Sequence, residues 1–193
     1  RAGDGVSRAA AGAVIRRQLE AHPEWVGVGT LWEPDAFDGQ DAAHVAAEGH
    51  DDTGRFMSYW AWSDGAPLLE ALRDYEVPGA GDWYLRPREL KRAVVAEPYV
   101  YKIAGTPALL TTLPTPILDG DEYVGVMTVD FALQSLQERI AKLTPMEAGF
   151  VRLLTPAGVV IGDHDATLLG KPFADPEAAG LLKQIAADKP VFR

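Results

Sequence analysis

The sequence contains no cysteine among its 193 residues. Disulfides, a thiolate nucleophile and cysteine-ligated zinc are thereby excluded, while the compartment stays open. Long apolar runs are missing too. No stretch of about 18 uncharged apolar residues exists that would span a bilayer as a helix, and no basic segment followed by an apolar one and a cleavage site marks a secretory leader. Positive charge is scarce: 18 Lys and Arg stand against 28 Asp and Glu, a net charge of -10. That excess repels nucleic acid phosphates and anionic lipid, so no nucleic-acid partner is expected. Catalytic signatures are absent as well: there is no Gly-x-Ser-x-Gly elbow, P-loop, dinucleotide fingerprint or zinc-protease motif. The expectation is a protein that is not an enzyme and carries no cofactor.

What is present is ordinary material for a packed domain, with 47% hydrophobic residues. The chain opens in helix-like sequence and stops where an extended segment begins, which predicts a piece cut from a longer protein. Val6, Ala10, Val14, Ile15 and Leu19 recur at helical spacing, predicting a helix over 6–21, entered from beyond Arg1 and ended by His22-Pro23. Trp25 to Trp32 reads as a strand. The acid-rich loop that follows lacks the alternating ligands of a calcium loop, and His44 and His50 lack the spacing of a zinc pair, so a solvated turn is expected and no metal. Arg55 to Trp62 is a second strand, with Phe56, Ser58, Trp60 and Trp62 on one face and Met57 and Tyr59 on the other. Pro67 to Tyr75 reads as a short helix. Strands are predicted from Leu90 through Ile103, from Ala108 to Leu118 and, after the Asp119-Gly120-Asp121 turn, from Tyr123 to Val129. A helix over 131–143 follows, and then a second unit with strands at 150–154 and 159–161 and a helix at 178–187. The fold class is α+β, an antiparallel sheet flanked by helices.

The stretch from Gly81 to Asp130 organises the rest. Alternation would place Glu97, Tyr99 and Tyr101 on one face and Val124, Val126, Thr128 and Asp130 in another row. If both rows look into one cavity, it is acidic and aromatic, which suits a cation, since ring faces carry a negative quadrupole. Trp25, Trp32, Trp60 and Trp62 taken singly read equally well as core residues. Asp130 reads either as a ligand carboxylate or as the cap of the helix that follows it.

The phrases AFDGQD, GHDDTGRFMSYWAW, GDWYLRP, AEPYVYKIAGTPALLTTLPTPI and EYVGVMTVDFALQSLQ, in that order, resemble the extracytoplasmic double Cache ligand-binding domain of bacterial receptors, over roughly residues 6–175. The resemblance implies a long N-terminal helix (1–22), a membrane-distal PAS-like module that binds the ligand (23–143) and part of a membrane-proximal module (144–193). It also implies a periplasmic position in a membrane-anchored, dimeric receptor for chemotaxis or signal transduction. In the amino-acid-sensing branch an Arg two residues before a Trp-Tyr pair holds the ligand carboxylate and a strand-end Asp holds its ammonium. Here Trp83 and Tyr84 match the pair and Asp130 matches the Asp, Tyr99 matches a pocket Tyr, and Tyr101 stands where that branch has Asp. Gly81 replaces the Arg, which turns the expected ligand from an amino acid to a small amine, foremost a quaternary one such as choline or a betaine. The expected site is Trp60, Trp62, Trp83, Tyr84, Glu97, Tyr99, Tyr101 and Asp130, with the backbone near Gly79 to Gly81 as a seat for a betaine carboxylate. An amino-acid sensor and a non-binding structural module are the alternatives.

Overall fold

The computed structural model describes residues 5–103 and 105–186. Helix α1 (Arg8–Ala21) is followed by strands β1 (Gly27–Trp32), β2 (Met57–Ser63) and β3 (Ala66–Glu70), helix α2 (Asp82–Leu90), strands β4 (Tyr99–Ile103), β5 (Thr106–Asp119) and β6 (Glu122–Ala132), and helix α3 (Leu133–Ile140). The six strands make one antiparallel sheet in the order β3-β2-β1-β6-β5-β4. Beyond it lie the two-stranded β7 (Leu153–Leu154) and β8 (Val160–Gly162) and helix α4 (Pro176–Ala186). The α+β expectation holds. No helix among the described residues is long and apolar enough to cross a membrane.

Helix α1 starts at Ser7, whose hydroxyl accepts the Ala10 N–H at 3.2 Å, an N-cap that satisfies one of the helix's orphan donors. Its buried face is Arg8, Gly12, Ile15 and Leu19, whereas Val6 and Val14 are exposed. The expected apolar stripe was therefore rotated, because a buried arginine occupies the first position of the inward face. Residues 1–4, where the helix was expected to enter, lie outside the described residues.

Strand β1 is buried at all six positions, as a central strand covered on both faces must be. On one face Ile15, Leu19 and Val28 pack with Trp25, Trp60, Trp62, Met127 and Val129. The other face carries the main core, which includes Leu31, Met57, Tyr59, Ala61, Trp83, Tyr84, Leu110 and Val126. Strands β5 and β6 form a long hairpin closed by Gly120-Asp121, with Gly120 at φ 59°. Its register shifts between Ile117 and Leu118. That bulge reverses the alternation, so Tyr123 joins the main core while Val124 packs with Trp32, Phe37 and Phe56. Val124 therefore does not share a row with Asp130.

Three segments differ from expectation. In place of the helix read over 67–75, the chain forms strand β3, paired with β2 along its whole length, and residues 71–75 belong to no helix or strand. Leu68, Leu69 and Leu72 fit either period in so short a segment, and the free edge of β2 decided the outcome. The Trp83-Tyr84 segment, for which no element is expected, forms α2 and carries Pro87 within it. The strand expected from Leu90 begins only at Tyr99. Before it, the Val94 and Ala96 N–H groups donate to the carbonyls of Pro114 and Thr112 without regular pairing.

Candidate functional site

The site is built on Asp130, near the end of β6. Thr112 of β5 and Gly27 of β1 sit directly opposite it in register. The Thr112 hydroxyl donates to Oδ1 at 2.6 Å and the Tyr59 hydroxyl donates to Oδ2 at 2.7 Å. Tyr59 belongs to β2, two strands away, and reaches Asp130 by laying its ring across β1. A Cβ on Gly27 would stand 2.1 Å from the Tyr59 hydroxyl, and one on Gly29 would stand 2.8 Å from the ring. Only glycines let the ring take this path.

Tyr99 and Tyr101 of β4 complete the cluster. The Tyr99 hydroxyl lies 2.7 Å from that of Thr112, and the Tyr101 ring meets Tyr59 and Tyr99 edge-on, with centroids 6.4 and 6.2 Å away. Asp130 is 4% exposed. Burial in this setting raises its carboxyl from 3.8 to about 6, against the lowering effect of the Thr112 and Tyr59 hydrogen bonds. Burial, reinforced by the Asp130 charge, likewise pushes the Tyr59, Tyr99 and Tyr101 hydroxyls upward, so they remain neutral donors. Asp130 makes no ion pair among the described residues, nor does it cap α3: that cap is Ala132, with no side-chain bond.

Trp83, on α2, is buried in the same core on the same face of the sheet, where α2 packs on β5 and β6. Tyr84 shares that core, but its hydroxyl turns elsewhere, donating to Glu33 and accepting from Arg55 at 3.2 Å. Glu33 is further held by Arg88 at 3.1 Å, and Tyr75 and Tyr123 pack edge-on to the Tyr84 ring. Tyr84 thus belongs to a second polar nest beyond the far end of β1. Its hydroxyl is raised to about 12, chiefly by burial. Arg55 also lies 3.7 Å from Glu33.

Besides Tyr84, three expected site residues fall elsewhere. Trp60 and Trp62 lie under α1 on the opposite face of the sheet, since their parity along β2 is opposite to that of Tyr59. Glu97 precedes β4, where the alternation does not extend. It accepts from the Thr155 hydroxyl at 2.5 Å and the Ala157 N–H at 3.2 Å, joining the sheet to the second unit. The amides expected to seat a carboxylate are also engaged: the Gly79 N–H donates to Asp82 and the Gly81 N–H to the Val77 carbonyl. Gly81 itself has a steric cause. A Cβ there would stand 2.3 Å from the Tyr75 carbonyl oxygen, so no side chain fits the place where the amino-acid branch carries Arg. Tyr59 and Thr112 are the residues that sequence reasoning missed.

Besides meeting Tyr59 and Tyr99, Tyr101 lines a groove of about 660 Å³ with Glu70, Arg73, Asp74 and Lys102.

A family profile described as the first PDC sensor domain of methyl-accepting chemotaxis protein-like receptors matches residues 11–138. The methyl-accepting chemotaxis protein TlpQ of Pseudomonas aeruginosa is 35% identical over a 192-residue alignment covering 90% of this chain and 27% of that protein. PscA of Pseudomonas syringae pv. tomato, another methyl-accepting chemotaxis protein, is 27% identical over 119 residues, covering 60% of this chain and 18% of that protein. The chain thus spans about a quarter or less of these relatives' length. Among solved structures, the extracellular domain of mmHK1S-Z3, assigned to the histidine kinases, superposes with a TM-score of 0.77 at 26% identity over 95% of this chain and 67% of that one. Methyl-accepting chemotaxis protein X superposes with a TM-score of 0.72 at 24% identity, over 96% and 68%.

Proposed function

The chain belongs to the family of first PDC sensor domains of methyl-accepting chemotaxis protein-like receptors, and from that premise we propose that it captures a small organic cation, foremost a quaternary ammonium such as choline, in the Asp130 cluster and performs no chemistry on it. In this reading the domain faces the periplasm in a membrane-anchored, dimeric receptor.

The observation that carries the proposal is the state of Asp130: a buried carboxylate whose partners are two neutral hydroxyls. A buried charge is costly unless paired, and a cation seated beside Asp130 supplies the pairing. The rings of Tyr59, Tyr99 and Tyr101 cluster about that place, with Trp83 in the same core, and each ring face that meets a desolvated cation contributes about 0.5–2 kcal/mol. A primary amine would add hydrogen bonds to Asp130. A methylated ammonium has none to give and draws mainly on ring faces, which are the more abundant resource. Filled backbone at Gly81 and engaged amides at Gly79 and Gly81 disfavour a ligand carboxylate, which ranks choline ahead of a betaine and of an α-amino acid.

Isothermal titration with choline, glycine betaine, amino acids and polyamines tests the reading. Asp130→Asn and Trp83→Ala are each expected to weaken binding of the preferred amine at least tenfold, with circular dichroism showing the fold retained. Unchanged affinity in both variants, or tight binding of an anion with no amine bound, would sink it.

A further inference from the structure

The residues that close on Asp130 are joined to the second unit by an unbroken run of hydrogen bonds. Its pivot is the buried Thr112. The Thr112 hydroxyl donates to Asp130 Oδ1 at 2.6 Å, which leaves its oxygen to accept from the Tyr99 hydroxyl at 2.7 Å. The Thr112 main-chain carbonyl accepts the Ala96 N–H at 2.9 Å, and the neighbouring Thr111 hydroxyl donates to the Ala96 carbonyl at 2.9 Å. Glu97 therefore stands between two residues, Ala96 and Tyr99, that are both fastened to Thr112. Pro98, its φ locked by the ring, stiffens the link between Glu97 and Tyr99.

From Glu97 the run crosses to the second unit. Its carboxylate accepts from the Thr155 hydroxyl at 2.5 Å and from the Ala157 N–H at 3.2 Å. Thr155 is fully buried, and its hydroxyl oxygen accepts the Val159 N–H at 3.1 Å, which closes the turn between β7 and β8. Helix α3 holds the same unit from another side, where the buried Gln137 exchanges hydrogen bonds with the main chain of Asp163. That helix follows directly on β6, the strand of Asp130. The hairpin is thus held at two places, one carried by the strand of Asp130 and the other by the segment that enters the strand of Tyr99 and Tyr101. Strand β4 is an edge strand paired with β5 alone, so it is the more easily displaced of the two.

We infer that Thr112, Ala96 and Glu97 pass the occupancy of the Asp130 cluster to the second unit, with Glu97 as a latch on the turn at 155–159. In the latched state Tyr99 lies against Thr112 and the turn is closed. In the unlatched state Glu97 releases the turn and β4 loses that support. A ligand that draws Tyr99 and Tyr101 in around Asp130 favours the latched state, and by reciprocity the latch strengthens its binding. This route rests on the reading of the Asp130 cluster as the ligand site.

Amide hydrogen exchange followed by NMR on the 193-residue chain reads the turn at Val159, with the Asp163 N–H, held by Gln137, as the reference for wider opening. Thr112→Val removes the pivot hydroxyl and keeps the main chain. It is expected to lower Val159 protection at least about fivefold, the low end of ordinary coupling between sites, and to leave Asp163 unchanged. Glu97→Ala, at an exposed position, is expected to do the same, and the double variant to lose no more than either single one. Tyr99→Phe, which removes the other fastening to Thr112, is expected to give a smaller loss in the same direction. Saturating choline is expected to raise Val159 protection at least about fivefold in the wild type and not in Glu97→Ala. Additive losses in the double variant, or a Val159 amide indifferent to both Thr112→Val and Tyr99→Phe, overturn the route. So does choline that binds in a titration and leaves Val159 unchanged. Choline that fails to bind while the exchange cycle holds supports the route and overturns the choice of amine.

Discussion

Asp41 and Asp130 are buried to nearly the same depth, 6% and 4% exposed, yet their surroundings differ in kind. Asp41 accepts from the Arg8 guanidinium at 2.6 Å and from the Asp35 N–H at 2.6 Å. Arg8 in turn donates to both oxygens of Asp38 and to the Gly54 carbonyl. One guanidinium answers both carboxylates within the protein, and this set fastens the loop 35–54 to α1. Asp130 accepts from two hydroxyls and faces rings. The difference teaches how to tell structural charge from site charge: a carboxylate closed by a guanidinium and backbone amides has nothing left to bind, whereas one closed only by neutral donors keeps its demand for a cation.

The largest expected effect breaks the structural side. Arg8→Ala strands the buried Asp41, and removing one member of a buried pair costs about 3–5 kcal/mol. Urea denaturation is expected to show a loss of that order. Hydrogen exchange should rise first in residues 35–54, because the loop's anchor to α1 is gone, while amine affinity at the Asp130 cluster changes little.

The next effect, on the site side, runs in the opposite direction. In the free protein the Asp130 carboxyl is raised from 3.8 to about 6, which corresponds to on the order of 3 kcal/mol. The folded state therefore binds the proton more tightly than the unfolded one, and stability falls as pH rises from about 4 through 6. Relative to Asp130→Asn, the wild-type chain is expected to lose stability across that window in urea titrations and to regain it at pH 7 when amine is added. Affinity for the amine should drop about tenfold between pH 7 and pH 5, since protonated Asp130 offers no charge. A flat difference between wild type and Asp130→Asn would mean that the carboxylate is already compensated.

How much of this was legible in the sequence follows from what alternation can and cannot carry. Period 2 separated Trp60 and Trp62 from Met57 and Tyr59 correctly, and it put Tyr99 with Tyr101. It says nothing about which face a helix will cover, so the tryptophans were assigned to the site when α1 lies over them. Glu97 was lost because Pro98 ends the alternation before β4 begins. The Tyr59–Asp130 contact is long-range and no local pattern encodes it. Its one trace is the pair Gly27 and Gly29 inside a strand, a sign of close approach by another group. Arg8 escaped notice because a charged residue at the first turn of a helix reads as solvent-facing until its two acidic partners, 30 and 33 positions later, fold onto it.

The smallest effect is the sharpest probe of the comparison. Tyr59→Phe keeps the ring that spans β1 and removes only the hydroxyl donating to Asp130 Oδ2. Loss of one hydrogen bond to a charged group is worth about 1.5–3 kcal/mol if the charge stays. Asp130 can instead escape by holding its proton, so the expected stability loss at pH 7 is nearer 1 kcal/mol. The escape leaves a signature. With one donor gone the carboxyl rises further, and the pH at which amine affinity begins to fall should move above that of the wild type. If Tyr59 merely packs, the profile stays where it was and only stability changes. A profile that moves shows that Tyr59 sets the charge state the ligand meets, the property that separates this carboxylate from Asp41.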